Sequence, residues 1–216
     1  SGAYLKGLKW IEMLETNHSL SQEEEWQVNE MKALLLNERG NQDEFLPIWY
    51  KLLKQYREAD KPEEVGKCLL TIASHFVMLE DYDNALPLYK EAYQLAVEHE
   101  FVDLQKSSGI MLVKYLCGAG DYSKSLEYYN KINPEIALVP SMQNEVVKSY
   151  MELNKPDSAR IYLAERLLLE GGDKIFLNCM MAETYIPEEQ EDSAFIFLDR
   201  AMESYKEKKK YYQGKD

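Results

Sequence analysis

Cysteine is scarce in this 216-residue chain. Cys68, Cys117 and Cys179 are its three copies, odd in number and without a CxxC spacing. Neither a disulfide framework nor a thiolate metal site follows from such a set, and the plain reading is three small buried apolar residues. Positive charge is also short. Lys and Arg total 25 against 38 Asp and Glu, a net charge of −13. A surface of that sign repels a phosphate backbone, so no nucleic-acid partner is expected for this portion. No run reaches the ~18 apolar residues of a membrane span, and no signal peptide is present. Membrane association is therefore expected only through segments outside this chain. Strand-like alternation bounded by turn residues is absent, which leaves an all-α chain.

Catalytic patterns are missing as well. There is no phosphate-cradling GxxxxGK[ST], no GxGxxG, no HExxH and no GxSxG. Of the three histidines, His18 and His99 fall at expected helix ends, and His75 stands beside an apolar stripe with no second ligand at helical spacing. The acidic runs at 23–25 and 188–192 sit at helix starts, where carboxylates complement the helix dipole. No enzyme, no metal and no cofactor is expected.

What the chain does have is a repeat. In residues 68–97, Leu69, Ile72, Ala73, Phe76 and Leu79 recur at intervals of three and four, one stripe of a helix. After a break at Glu80–Asp83, a second stripe follows: Ala85, Leu86, Tyr89, Ala92, Tyr93 and Ala96. The break is short enough to force two antiparallel helices. Ala73, Ala85 and Ala92 stand where the backbones approach, flanked by Phe76 and Tyr89. The Asp81-Tyr82 break returns 40 residues on as Asp121-Tyr122, and Ala85-Leu86 with Tyr89 returns as Ser125-Leu126 with Tyr129. Ala159 with Leu163 follows 34 residues later, and Ala194 with Leu198 and Ala201 another 35 on. Upstream, Leu46-Pro47 precedes Trp49 as Leu86-Pro87 precedes Tyr89. The 16 tyrosines suit wedges between such units.

This pattern resembles the tetratricopeptide repeat, a helix–turn–helix of about 34 residues. Leu69, Ile72, Ala73, Phe76, Asp81-Tyr82, Ala85, Tyr89 and Ala92 match it, and Gly120-Asp121-Tyr122 matches the next turn. Ser125 and Ile132 replace two alanines, Arg166 replaces a third, and Asn178 stands where a bulky residue is usual. The resemblance implies a right-handed α-solenoid of about eleven helices. Spacings of 40 exceed the family's unit, so longer second helices are expected in the early repeats.

Three segments are expected: a leading helix of an incomplete repeat over 1–20, about five units over 21–205, and a basic end over 206–216. In the first, Tyr4, Leu5, Leu8, Ile11, Met13 and Leu14 form the buried side. Ser21 with Glu24 reads as a capping box, and Gly40 as a left-handed helix terminator. Breaks are expected at Asn133-Pro134, Pro140 and Gly171-Gly172, and Pro187 is expected to end a helix over 174–186. The Lys-rich 206–210 is a solvated capping end, or the start of a linker toward another domain or anionic lipid. Opening on Ser1-Gly2 directly before a helix, the chain is expected to be an excised domain.

The resemblance also implies where a partner sits. First helices of such arrays line the concave face. Carried onto this sequence, that face is Lys67, Leu70, Ser74, Val77 and Met78, then Ser107, Ile110, Lys114 and Cys117. Ser141, Asn144, Lys148 and Met151 come next, then Phe176, Cys179 and Glu183. Lys114 and Lys148 hold the same place in adjacent units, a fit for peptide carboxylates unless each pairs with a neighbouring glutamate. The function expected is a non-enzymatic scaffold for a peptide or protein segment. Its texture is similar to the N-terminal repeat domains of Bacteroidetes sensor and regulator proteins; a soluble domain is expected, with periplasm and cytoplasm both left open. The alternatives are a structural oligomerisation module, which would make a homodimer the partner, and a peptide-pheromone receptor domain.

Overall fold

A computed structural model describes residues 2–38, 42–132, 142–169 and 173–213. Gly40, Asn133-Pro134, Pro140, Ser141 and Gly171-Gly172 lie outside them. The described residues form eleven α-helices and one 3-10 turn, with no strand among them. The helices are α1 (Gly2–Asn17), α2 (Gln22–Glu38), α3 (Gln42–Glu58), α4 (Pro62–Met78), α5 (Tyr82–Glu98) and α6 (Val102–Gly118). They continue as α7 (Tyr122–Lys131), α8 (Gln143–Glu152), α9 (Pro156–Leu167), α10 (Lys174–Glu183) and α11 (Glu191–Gln213). The chain divides into two compact units, Ser1–Ser108 and Gly109–Asp216.

Helices α2 to α6 are each 17 residues long. From α3 on, three-residue connectors join them, so a new helix starts every 20 residues. The expectation of longer second helices is thus corrected: both helices of the early hairpins are long. The later repeats shorten because α8, α9 and α10 have 10, 12 and 10 residues.

Each connector reverses the chain the same way. Asp60, Glu80, Glu100, Gly120 and Asn154 have φ of 52°, 59°, 58°, 81° and 55°. The residue after each donates its N–H back to a carbonyl five residues earlier: Lys61 to Tyr56, Asp81 to Phe76, Phe101 to Ala96, Asp121 to Leu116 and Lys155 to Tyr150. That is the Schellman closure, which satisfies otherwise orphaned carbonyls at the helix end. The next helix is then capped. The Asp81 carboxylate accepts from the Asn84 N–H, Asp121 from Lys124 and Asp173 from Phe176. At Ser21 the capping box forms: the Ser21 N–H donates to Glu24 Oε2 at 2.8 Å and Ser21 Oγ accepts from the Glu24 N–H at 3.4 Å. The Ser21 amide holds the Glu24 carboxyl below the usual range.

Packing follows the small residues. Ala73, Ala85, Ala92 and Ala96 are fully buried, and the Ser74 and Tyr89 hydroxyls meet at 3.0 Å across α4 and α5. In the first unit, Trp26, Phe45, Trp49, Leu52, Leu69 and Ile72 belong to one core. A methyl at Gly66 would stand 2.2 Å from Leu104 Cδ2, so α4 meets the start of α6 with no room for a side chain. The departures from the repeat pattern are accommodated one by one. Ser125 donates its hydroxyl to the Val113 carbonyl at 2.8 Å, and Asn178 donates to the Lys174 carbonyl. Arg166 donates to the Tyr129 hydroxyl at 2.7 Å and lies over the Tyr162 ring. Burial pushes the Tyr162 phenol up to about 12, helped by the Tyr129 hydroxyl and opposed by Arg166.

Three expectations are corrected. On α1, Gly7, Leu8, Ile11 and Leu14 turn inward while Leu5 and Met13 are exposed; the Tyr4 side chain lies outside the described ones. Leu79 is exposed, since the stripe of α4 ends at Phe76 and Leu79 already belongs to the connector. Helix α10 stops at Glu183, before Pro187, because the buried Thr184 hydroxyl donates to the Met181 carbonyl and the chain passes into the 3-10 turn Ile186–Glu188.

Two stability predictions follow from this geometry. Ala85→Leu overpacks the α4–α5 approach and lowers stability by about 1–3 kcal/mol; an unchanged denaturant midpoint would contradict the assigned register. Glu100→Gly relieves a left-handed residue that costs an L-amino acid roughly 1–2 kcal/mol. Glycine's larger entropy loss returns part of that, so a net gain of about 0.5–1 kcal/mol is expected in the same assay.

Candidate functional site

In the first unit, the expected face residues of α4 come first. Lys67 is held by Glu63 one turn earlier, at 2.7 Å, and this carboxylate raises the ammonium above its ordinary range. Ser74 is engaged with Tyr89, as described. Leu70 and Val77 are half-buried, with Leu70 packed against the core, while Met78 is exposed. The α4 face is therefore apolar with its one ammonium already paired.

On α6, Ser107 and Lys114 are exposed and Ile110 is half-buried. Cys117 does not belong to the face. It is 2% exposed, its thiol is raised by burial, and Ser149 and Lys148 stand close enough to pull it the other way. At the C-terminal end of α6 the helical position expected to face a partner has rotated into the packing against α8. On α8, Asn144 and Lys148 are exposed and Met151 is half-buried. The Lys148 ammonium lies 5.9 Å from the centre of the Tyr122 ring, near the limit of a cation–π contact. On α10, Phe176 and Glu183 are exposed and Cys179 is half-buried.

The two lysines differ from Lys67. Among the described residues, lysines 32, 54, 61, 67, 124 and 131 each have a carboxylate within ion-pair distance, whereas Lys114 and Lys148 have none, a state they share with lysines such as 51, 90, 106 and 155. In the second unit, then, α6 and α8 present two ammoniums without counter-ions, with Asn144 one turn from Lys148. The arrangement can bind anions; it offers no nucleophile–base pair. Among the described residues, no group of three or more His, Cys, Asp and Glu could hold a metal ion, and no helix is long and apolar enough to cross a membrane.

The first unit holds a second concavity that the residue pattern did not point to. Gly7, Trp10, Ile11, Leu14, Met31, Leu34 and Leu35 line an apolar groove of about 540 Å³ between α1 and α2. It forms because Gly7 lets α1 come close; a methyl there would stand 3.0 Å from Leu35 Cδ1. Trp10 is 69% exposed on its rim. Gly7 with Leu8, Ile11 and Leu14 at helical spacing was the available signal.

One core group is electrostatically distinctive. His75 is 2% exposed and stacked on Phe45 at 4.7 Å, and neither ring nitrogen has a hydrogen-bond partner among the described residues. Burial lowers its pKa from 6.5.

No family model matches the chain, and no curated protein matches it either. Among solved structures, it is similar to the crystal structure of BtubC (BKLC) from P. vanneervenii, with a TM-score of 0.69 at 14% identity. The likeness covers 96% of this chain and 90% of that one. At this identity it shows the fold alone, an all-α helical-repeat fold of the α-solenoid class.

The His75 environment makes a pH prediction. The folded state favours the neutral ring, so the unfolded chain takes up the proton first. Stability is intact above the unfolded pKa near 6.5 and is lost as pH falls below it, at no more than about 1.4 kcal/mol per pH unit, the slope for one proton. Denaturant midpoints at pH 7.5 and 5.5 should drop more for wild type than for His75→Leu, since carboxylate titration is common to both.

Proposed function

We propose that this chain is a non-enzymatic scaffold of tetratricopeptide type that holds an acidic peptide or protein segment against the first helices of its repeats. The observation that carries the reading is the pair Lys114 and Lys148. Both are exposed, on α6 and α8, and neither has a counter-ion among the described residues, although the chain bears an excess of carboxylates. Leaving two ammoniums open on such a surface suits recognition of an anion that arrives from outside. On the same first helices, the half-buried Ile110 and Met151 and the exposed Phe176 offer apolar side chains to such a segment.

The repeat type rests on Leu69, Ile72, Ala73, Phe76, Ala85, Tyr89 and Ala92, six of which are buried at the α4–α5 approach. A sensory or regulatory setting in a bacterial protein fits an acidic helical-repeat scaffold without a catalytic constellation. The likeness to BtubC carries the fold alone and says nothing about the setting or the ligand.

The test is calorimetric titration of acidic and free-carboxylate peptides into wild type and Lys114→Ala/Lys148→Ala. A partly desolvated charge-assisted contact contributes about 1.5–3 kcal/mol, so the double variant is expected to bind one to three decades more weakly. Its unfolding midpoint should stay within about 0.5 kcal/mol, because exposed lysines contribute little to stability. Raising salt should reproduce part of the loss. Apolar or basic peptides as best binders, with affinity unchanged in the double variant, would overturn the proposal.

A further inference from the structure

Helix α11 carries two apolar faces, and only one of them is used. Its inner face packs on α10: Ala201 is buried, and Phe197 stacks on Tyr185 at 5.7 Å with the rings 13° apart. A second stripe, Phe195, Leu198, Met202 and Tyr205, follows the i, i+3, i+7, i+10 spacing of a helix-pairing seam and is 44–61% exposed along its whole length.

The repeat register shows that this exposure is not the ordinary state of these positions. Ala194, Leu198 and Ala201 correspond to Ala85, Tyr89 and Ala92, so the stripe corresponds to Leu86, Tyr89, Tyr93 and Ala96 of α5. There the same four positions are covered: Tyr89, Tyr93 and Ala96 are buried and Leu86 is half-buried. Leu163, the equivalent of Leu198 in α9, is fully buried. In α11 the apolar side chains are kept and, among the described residues, nothing covers them.

Charge along the helix selects the occupant. Residues 191–202 hold Glu191, Asp192 and Asp199 against one arginine, while residues 203–213 hold four lysines against two glutamates. The helix macrodipole favours such a gradient at exposed ends, but it gives no reason for the bare stripe between them. An antiparallel partner of identical sequence satisfies both. It sets Phe195 against Tyr205 and Leu198 against Met202, and brings Asp192 beside Lys206 on the flank of the seam, twice by symmetry. The same register sets Asp199 opposite its own copy once, near the axis, against two Asp192–Lys206 pairs; in a parallel pair these flank positions lie on opposite sides of the seam and no Asp192–Lys206 pair forms.

We propose that α11 pairs antiparallel with α11 of a second copy of this chain through this stripe. The contact is isologous and closes at two copies. Four side chains over about 15 Å of helix make less than the ~1,200 Å² of a standard stable interface, so the dimer is concentration-dependent.

Sedimentation of the full chain from low to high micromolar concentration should show the average mass rising toward twice the monomer. Leu198→Glu and Met202→Glu should hold it at the monomer with unchanged circular dichroism, since both residues are exposed. Asp192→Lys and Lys206→Glu should each weaken the dimer by about tenfold, roughly one charge-pair reversal. The double variant should recover most of the loss. In disulfide trapping, Asp199→Cys, near the two-fold axis, should cross-link and Lys206→Cys should not. A monomer at every concentration, a dimer indifferent to Leu198→Glu, a double variant no better than the singles, or cross-linking through Lys206→Cys would each overturn the proposal.

Discussion

Everything in this fold depends on reversing the chain in three residues. Two 17-residue helices can lie antiparallel and touch only if the connector neither lengthens nor splays them. One residue in the left-handed region, followed by an N–H bonded back to a carbonyl five residues earlier, does that. The same closure at residues 60, 80, 100 and 120 sets a 20-residue cadence. Because the cadence is fixed, residues 40 apart return to equivalent places, and a core built from Ala73, Ala85 and Ala92 can be stacked again. Three of these four left-handed residues are acidic and non-glycine, so the geometry is held by helix packing and by the closing hydrogen bond, at a local cost in backbone strain.

Much of this could be read from residue spacing. The 40-residue recurrence of Asp-Tyr, the alanines at the helix approach and the capping box at Ser21 all describe local geometry, which neighbouring residues determine. The misreadings fall where a distant partner decides. Which face of α1 turns inward depends on where Leu35 of α2 stands; Gly7 at that contact, not the total of apolar residues, was the informative position. Cys117 looked like a face residue by register, but α8 comes close to that end of α6. Helix α10 ends early because a hydroxyl at Thr184 finds the Met181 carbonyl. Each is a tertiary choice between two faces that periodicity treats as equal.

The candidate binding residues were legible as positions and not as states. Register places Lys67, Lys114 and Lys148 alike, yet Lys67 has Glu63 one turn back and is neutralised. Lys114 has Ile110 and Met111 four and three residues back, with no carboxylate in reach; Lys148 has Glu145 three residues back, but no ion pair forms between them. For Lys114 that difference was in the sequence; for Lys148 it shows only in the structure, where Glu145 does not pair with the lysine. It separates surface that is already satisfied from surface open to a partner.

The arginines and lysines of this chain divide the electrostatic work by geometry. Arg57 pairs with Glu91 between α3 and α5. Arg160 spreads its fork over Asp157, the Thr184 carbonyl and Glu188, and stacks on Tyr185, tying α9 to the end of α10. Arg166 joins α7 to α9 through Tyr129, and Arg200 lies over Phe197. A planar guanidinium can hold several fixed acceptors at once and still stack on a ring, which suits it to joints between helices. An ammonium is a strongly hydrated point charge on a flexible stem and is poorly suited to such joints. With these guanidiniums committed to packing, the charge recognition proposed for the first helices would fall to lysine. Recognition by ammonium selects for the charge of a segment and its approximate spacing, not for the planar shape of one carboxylate. On the proposed function, the partner of such a face would be acidic and extended, with Ile110, Met151 and Phe176 offering apolar contacts.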